Sequence, residues 1–311
     1  MTEFKHIPVM LYEVIEGLDI KPDGIYVDCT IGGGGHSSKI IEKLSAKGHL
    51  YGFDRDADAV KVCLERFKNN KNVTIIHANY KDAPKLLQEM GVNKIDGFLI
   101  DLGVSSYQID TAERGFSFLH EGRLDMRMDT EQDLDAFQVV NYYSKERLLD
   151  ILYKYGEESN ARKIVENIIK YRKIKPIETT TELKNIIEES FPKKVIYGKG
   201  GVSKKTFQAI RIEVNGELSG LDSLLKELLS MLSSGGRGAV ITFHSLEDRI
   251  VKNVFKEEAT DCLCPPKTPV CICGHKKSVK LVSKKPITAG AEELKNNPRS
   301  SSAKLRIVEK L

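Results

Sequence analysis

Ile25-Tyr26-Val27-Asp28-Cys29-Thr30-Ile31-Gly32-Gly33-Gly34-Gly35-His36-Ser37 is the stretch that decides the fold. A short apolar run ends at an acid, and four glycines follow. The segment from Ser37 to Lys47 then sets Ile40, Ile41 and Leu44 on one helical face, with Gly48 placed to end it. Strand, glycine turn and helix make the first half of a βαβ unit. The same rhythm continues downstream. His49 to Asp54 reads as a second strand, and Ala57 to Lys68 as a second helix with Val60, Leu64 and Phe67 inward. Val73 to Ile76 reads as a third strand, Lys81 to Met90 as a third helix, and Gly97 to Asp101 as a fourth strand. This alternation predicts a parallel sheet with helices on both faces.

The rhythm breaks after Asp101. Ser144 is placed to cap a helix carrying Leu148, Leu149, Ile151 and Leu152. Ala161, Ile164, Val165, Ile168 and Ile169 follow helical spacing, and Thr179 with Glu182 forms a capping-box pattern before Leu183, Ile186 and Ile187. The α/β pattern resumes with a helix over Leu221 to Leu232, a turn over Ser234 to Gly238, a strand over Ala239 to Phe243 and a helix from Ile250 to Glu258. Ala303 to Val308 reads as an amphipathic strand at a sheet edge, and Ser283 to Ser302 as a surface loop. The expected organisation is a core of residues 1–107 and 206–311, with an inserted helical domain over 108–205 that binds substrate.

No apolar run approaches the roughly 18 residues that span a bilayer. The start, Met1-Thr2-Glu3-Phe4-Lys5-His6, lacks the basic stretch and apolar run of a signal peptide, so a cytoplasmic location is expected. The chain carries 48 basic and 44 acidic side chains, a net of +4. Their distribution is uneven. Residues 262–311 hold eleven Lys or Arg against three Asp or Glu, a net of +8, leaving −4 for the rest. A basic tail suits a polyanion such as nucleic acid; a solvated lysine-rich face is the plainer reading.

The candidate site lies at the strand ends, because ligands of parallel sheets gather at the carboxyl edge. Asp28 stands ahead of the glycine turn, where a carboxylate repels a pyrophosphate and suits a cationic ligand such as the sulfonium of S-adenosylmethionine. The third glycine of a dinucleotide fingerprint is missing, since Gly33 and Gly35 lead to Ser38. Asp54 ends the second strand, where an acid accepts ribose hydroxyls or caps the next helix. Tyr80 after the third strand is placed to stack on adenine or to fill the core. Asp101 ends the fourth. His244-Ser245 lacks the G-x-S-x-G elbow of a hydrolase, which leaves a local structural role or a substrate contact.

These residues belong to a longer pattern. It includes His6-Ile7-Pro8-Val9-Met10, Asp28 to Ser37, Gly52-Phe53-Asp54-Arg55-Asp56 and Asp101-Leu102-Gly103-Val104-Ser105-Ser106. It continues with Glu113 to Phe118, Leu124 to Asp129, Phe207-Gln208-Ala209-Ile210-Arg211 and Phe243 to Arg249. In these segments the chain resembles, nearly end to end, the ribosomal RNA small-subunit methyltransferase H family, also called MraW. The resemblance implies a Rossmann-like class I S-adenosylmethionine-dependent methyltransferase with an inserted helical domain. It implies methylation of the exocyclic N4 of a decoding-centre cytidine in 16S ribosomal RNA, with that RNA within the small ribosomal subunit. Cofactor contacts carried over are Gly34, Gly35, His36, Asp54, Tyr80, Asp101 and Gln108; His36 and Gln108 are singled out only by the match.

The cytosine amine is a poor nucleophile because its lone pair is delocalised into the ring. Many amino-methyltransferases meet this with an Asp or Asn followed by two prolines and an aromatic residue. Here Asp101 is followed by Leu102-Gly103-Val104, so the acid is kept and the rest is not. Asp101, as the catalytic residue, or a nearby backbone carbonyl accepts the amine; alternatively Asp101 touches cofactor alone. Tyr107, Phe116 and Phe118 are candidates to stack the flipped base. Lys193, Lys194, Lys199, Lys204, Lys205 and Arg211, with Lys276, Lys277, Lys280, Lys284 and Lys285 in the tail, are expected to grip RNA phosphates. No residue of this site is assigned to a metal. Cys262-x-Cys264 and Cys271-x-Cys273 suggest either structural zinc or reduced thiols in a loop stiffened by Pro265, Pro266 and Pro269; C-x-C spacing closes a tetrahedron less easily than C-x2-C. The rival readings are an NAD-dependent oxidoreductase, a methyltransferase of DNA or protein, and a non-catalytic assembly factor that keeps the cofactor fold.

Overall fold

A computed structural model describes residues 8–196, 201–265, 268 and 270–311. His6, Ile7, Lys199, Pro266 and Pro269 lie outside the described residues. The chain divides into two compact units, one of Met1–Gly103 with Ser219–Leu311 and one of Val104–Leu218.

The α/β unit is built on a seven-stranded sheet. Its strands are β1 (Ile25–Asp28), β2 (His49–Asp54), β3 (Val73–His77), β4 (Ile95–Asp101), β5 (Leu232–Thr242), β6 (Val279–Leu281) and β7 (Lys304–Lys310), in the spatial order β3-β2-β1-β4-β5-β7-β6. The first five are parallel, and β7 runs antiparallel to both β5 and β6. The order reverses between β1 and β4, which makes their carboxyl ends the switch point where such sheets bind ligands. Side-chain alternation separates two cores. Val27, Phe53, Phe98, Ile100 and Val240 pack one face against the helices Ala83–Glu89, Leu221–Met231 and Ser245–Glu258. Tyr26, Leu50, Leu99, Ala239 and Ile241 pack the other against Val14 and Leu18 of the helix Leu11–Leu18.

Several expectations need correction. The helix after the glycine turn is shorter than its apolar pattern and runs Gly35–Ile41. Leu64 is 53% exposed, and Cys63 takes the inward position of the helix Ala57–Arg66. Ser234 to Gly238 is strand rather than turn. The register of β4 against β5 shifts between Ile95 and Gly97, and a Cβ on Gly236 would stand 2.8 Å from the Ser233 carbonyl, so the glycines accommodate a bulge. β7 is interior, because the three-residue β6 covers its outer side. The stretch expected to loop contains the helix Ala291–Asn296.

The helical unit has its own core, formed by Leu124, Val139, Leu148, Ile164, Leu183 and Ile210 with their neighbours. Ser144 caps Lys145–Lys154 by accepting from the Arg147 N–H, and Thr179 with Glu182 closes the capping box of Thr180–Glu188. The helix Lys204–Asn215 packs Phe207, Ala209, Ile210 and Val214 into this core, so the unit extends to Leu218 rather than ending at 205. Asn215 closes it, accepting from the Met128 N–H at 2.8 Å and donating to the Met126 carbonyl at 2.7 Å. None of the described helices is long and apolar enough to cross a membrane.

Candidate active site

Parallel register carries the strand ends to one edge. Asp28 aligns with Gly52 and Leu99, Asp54 with His77, and Asp101 with Ile241. Asp28, Asp54 and Asp101 thus terminate three neighbouring strands, and Tyr80 follows the fourth, β3. A shallow recess of about 480 Å³ lies elsewhere, lined by Leu44, His49 and Asn72 near the amino ends of the strands, and holds none of these groups.

Asp28 is buried and accepts hydrogen bonds from the Thr30 N–H at 3.2 Å and the Ser37 hydroxyl at 2.7 Å. Burial pushes its carboxyl up to about 6, against the pull of those two donors. Asp54 accepts from the Gly32 N–H at 2.8 Å and the Asp56 N–H at 2.9 Å, so it ties the glycine turn to the end of β2. Each carboxylate oxygen keeps a second acceptor site, enough for both ribose hydroxyls. The cap of the following helix is Asp56, not Asp54; its side chain accepts from the Asp58 N–H at 3.1 Å. Burial also raises the Asp54 carboxyl.

Asp101 differs from both. Its backbone N–H donates to the Thr30 hydroxyl at 2.7 Å, and its Oδ2 lies 3.9 Å from His36 Nδ1. Its Oδ1 is buried and, among the described residues, has no hydrogen-bond partner. Desolvation, with the charges of Asp28 and Glu247, holds the carboxyl well above the ordinary range. A buried unsatisfied acceptor costs about 1–3 kcal/mol, which an arriving N–H donor offsets.

The glycine turn has a shape that its own chain only partly explains. Gly34 has φ +78°, and a Cβ there would stand 2.8 Å from the Phe67 ring. A Cβ on Gly35 would meet Pro8 at 2.3 Å. Gly33 is the exception: a Cβ there would meet nothing within 4 Å. Among the described residues nothing crowds a Cβ at that position, and the space beside it is open to a ligand lying against the turn. The open space beside Gly33 and the orphaned Asp101 oxygen fit a bound cofactor and an incoming donor.

His36 is buried beside this turn, with Nε2 3.0 Å from the Val9 carbonyl oxygen. Tyr80 is buried at the start of the 3-10 turn Tyr80–Asp82. Gln108 belongs to the helical unit, where it closes a capping box with Ser105: its Oε1 accepts from the Ser105 N–H at 3.0 Å. His244 and Glu247 form a capping box of their own, at the start of the helix Ser245–Glu258. Thr30, Ser37 and Phe243 were not among the expected site residues. The signal for the first two was present, as hydroxyl residues flanking the glycine turn. Phe243 had none, because 142 positions separate it from Asp101; it packs 3.3 Å from where a Gly103 Cβ would lie and supplies an aromatic beside the loop that lacks one locally.

Other expected groups are engaged elsewhere. Arg211 makes a bidentate pair with Glu217, both bonds 2.8 Å, and is not available to grip a phosphate. Phe118 packs edge-on to Phe207 at 5.3 Å between ring centroids, and Phe116 borders the helical core. Lys205 donates to the Glu157 carbonyl, Lys277 to Asp261, and Lys280 pairs with Glu309.

A sheet of this order with one reversed strand, acids at its switch point and a glycine turn after β1 defines a Rossmann-like class I S-adenosylmethionine-dependent methyltransferase. The family model described as the MraW methylase family matches residues 3–311, and the chain belongs to that family. Ribosomal RNA small subunit methyltransferase H of Clostridium botulinum (strain Kyoto / Type A2) is 50% identical over 309 residues, covering 99% of this chain and 100% of the relative. The protein of the same name from Clostridioides difficile (strain 630) is 49% identical over 310 residues, with 99% and 100% covered. The solved structure of an rRNA methylase from Streptococcus thermophilus has a TM-score of 0.41 at 11% identity, covering 98% of this chain and 99% of that one.

Proposed function

We propose that this methyltransferase modifies the exocyclic N4 of one decoding-centre cytidine in 16S ribosomal RNA, acting in the cytoplasm on the small ribosomal subunit. The names of the half-identical relatives support the RNA and the subunit. The observation that carries the amine as acceptor is the buried, unpartnered Asp101 Oδ1.

S-adenosylmethionine, when bound, supplies an electrophilic methyl group on a sulfonium. Gly34, Gly35 and His36 would line its place after β1, Asp54 would take the ribose hydroxyls, and Tyr80 would flank the adenine. Gln108 joins them on the family pattern alone. Asp28 keeps negative potential beside the methionine end. Asp101 Oδ1 accepts an N–H of the cytosine amine, which turns the nitrogen lone pair out of conjugation and toward the methyl. As the N–C bond forms, the bond between the methyl and the sulfonium breaks, its electron pair staying on sulfur as the neutral thioether S-adenosylhomocysteine leaves, and the nitrogen becomes cationic and loses a proton. Asp101, whose carboxyl is raised by burial, is a base matched to receive it. Positioning supplies most of the acceleration, since in-line methyl transfer needs no other acid or base. Phe243 is the aromatic face proposed for the flipped base. Lys193, Lys194, Lys204 and the tail lysines Lys276, Lys284 and Lys285 are proposed for the phosphates.

The test is transfer of labelled methyl from S-adenosylmethionine to unmethylated small subunits, with naked ribosomal RNA and DNA in parallel. Label on the subunit or its RNA, and none on DNA, is the expected result. No label on any substrate with cofactor binding intact would instead identify a non-catalytic assembly factor.

A further inference from the structure

Cys262, Cys264, Cys271 and Cys273 lie between the helix Ser245–Glu258 and β6, within the α/β unit but away from the strand-end acids. Their four Sγ atoms all lie within 4.8 Å of one another. Cys262 and Cys273 each stand 3.5 Å from Cys271, Cys262 stands 3.8 Å from Cys273, and Cys264 stands 4.0 Å from Cys271. A tetrahedral zinc ion with Zn–S bonds of about 2.3 Å has S···S edges of about 3.8 Å. These four separations are therefore close to the edges of a mononuclear tetrathiolate, and the remaining two lie within 4.8 Å. A disulfide needs about 2.05 Å, and all four cysteines are free thiols. An iron–sulfur cluster distributes its cysteines over separate irons and spreads the sulfurs wider.

The backbone makes the same case independently. The Leu263 N–H donates to Cys273 Sγ and the Ile272 N–H donates to Cys264 Sγ, each at 3.4 Å. The central amide of each C-x-C turn thus serves a sulfur of the other turn. This reciprocal pattern answers the objection from spacing. Each short C-x-C arm presents its two sulfurs to a common centre because the opposite arm completes the tetrahedron. Hydrogen bonds to sulfur favour thiolate over thiol. Among the described residues no hydrophobic core holds the arms together, since Leu263, Val270 and Ile272 are 45%, 72% and 83% exposed. The base of the segment is pinned, by the Ser278 N–H on the Glu258 carbonyl at 2.8 Å and by His275 Nε2 3.0 Å from the Glu257 carbonyl oxygen.

We propose that Cys262, Cys264, Cys271 and Cys273 bind one zinc ion as a closed tetrathiolate knuckle. Four protein ligands leave no open position, so the role is structural: the ion orders the segment that leads into the basic tail. On binding, four thiols release four protons to solvent, each sulfur donates a lone pair, and no electron is transferred. The site carries a net charge of −2, beside Lys276 and Lys277.

The test uses the full chain, purified under reducing conditions, stripped and reloaded with zinc. Elemental analysis is expected to give one zinc per chain. Cobalt(II) in its place is expected to give intense tetrahedral visible bands with sulfur-to-cobalt charge transfer. The double variant C262S/C271S is expected to lose the metal, while its binding of S-adenosylmethionine, measured by calorimetry, shows that the α/β unit is folded. Four titratable thiols with no zinc retained would overturn the proposal. So would disulfides in the reduced preparation, iron as the resident ion, or full zinc occupancy in the double variant.

Discussion

Replacing Asp28 with asparagine separates what this residue does for stability from what it does for the cofactor. Its carboxyl is pushed up to about 6 from an ordinary 3.8. The folded chain therefore holds a proton that the unfolded chain has already lost between about pH 4 and pH 6. Stability falls as pH rises through that window and stays lower above it. A shift of roughly two units at 1.36 kcal/mol each is about 3 kcal/mol. Asparagine has no proton to lose. Its carbonyl still accepts from the Thr30 N–H, and its amide donates to the Ser37 hydroxyl, which reverses direction. Asp28→Asn should thus gain roughly 3 kcal/mol over wild type at pH 7.5 without cofactor, and nothing below pH 4. Urea unfolding at several pH values measures this. The same variant should bind S-adenosylmethionine at least tenfold more weakly, because the negative potential beside the cationic ligand is gone. Equal stability at pH 7.5, or a loss of the same size at every pH, would refute the reasoning.

Asp101→Ala removes an acceptor that, among the described residues, receives no hydrogen bond at Oδ1, so folding should not suffer. A hydrogen bond to a charged acceptor is worth about 1.5–3 kcal/mol, so single-turnover transfer under saturating cofactor should slow about 10- to 100-fold. A near-wild-type rate would restrict Asp101 to cofactor contact. Arg211→Ala removes the bidentate partner of the buried Glu217 and should cost roughly 3–5 kcal/mol in the helical unit, read by thermal unfolding. Unchanged stability with weaker RNA binding would return Arg211 to the phosphate-binding set. Affinity for RNA should fall steeply with salt, and Lys193→Ala with Lys194→Ala should flatten the slope of log affinity against log salt by about 1–2.

The sheet was legible because β1, β2 and β4 are apolar runs that each stop at an acid, and that punctuation also located Asp28, Asp54 and Asp101. Short or tertiary-dependent elements were not. The eight-residue helix Leu11–Leu18 and the three-residue β6 give too little periodicity to stand out, and without β6 the strand β7 reads as an edge. The glycines of β5 read as a turn because a bulge and a turn share a composition. Leu64 was misplaced because the choice between Cys63 and Leu64 depends on how the helix rotates against the sheet. The orphaned oxygen of Asp101 and the approach of Phe243 exist only once distant strand ends meet. The cysteine spacing, read alone, left structural zinc and reduced thiols both open; the facing of the two arms is what favours the metal.

The most direct measurement is the chemical position of the transferred methyl, read by nucleoside digestion and mass spectrometry of small-subunit RNA after reaction. The amine role of Asp101 predicts N4-methylated cytidine at a single position. Methyl on cytosine C5 or on a ribose hydroxyl would contradict it.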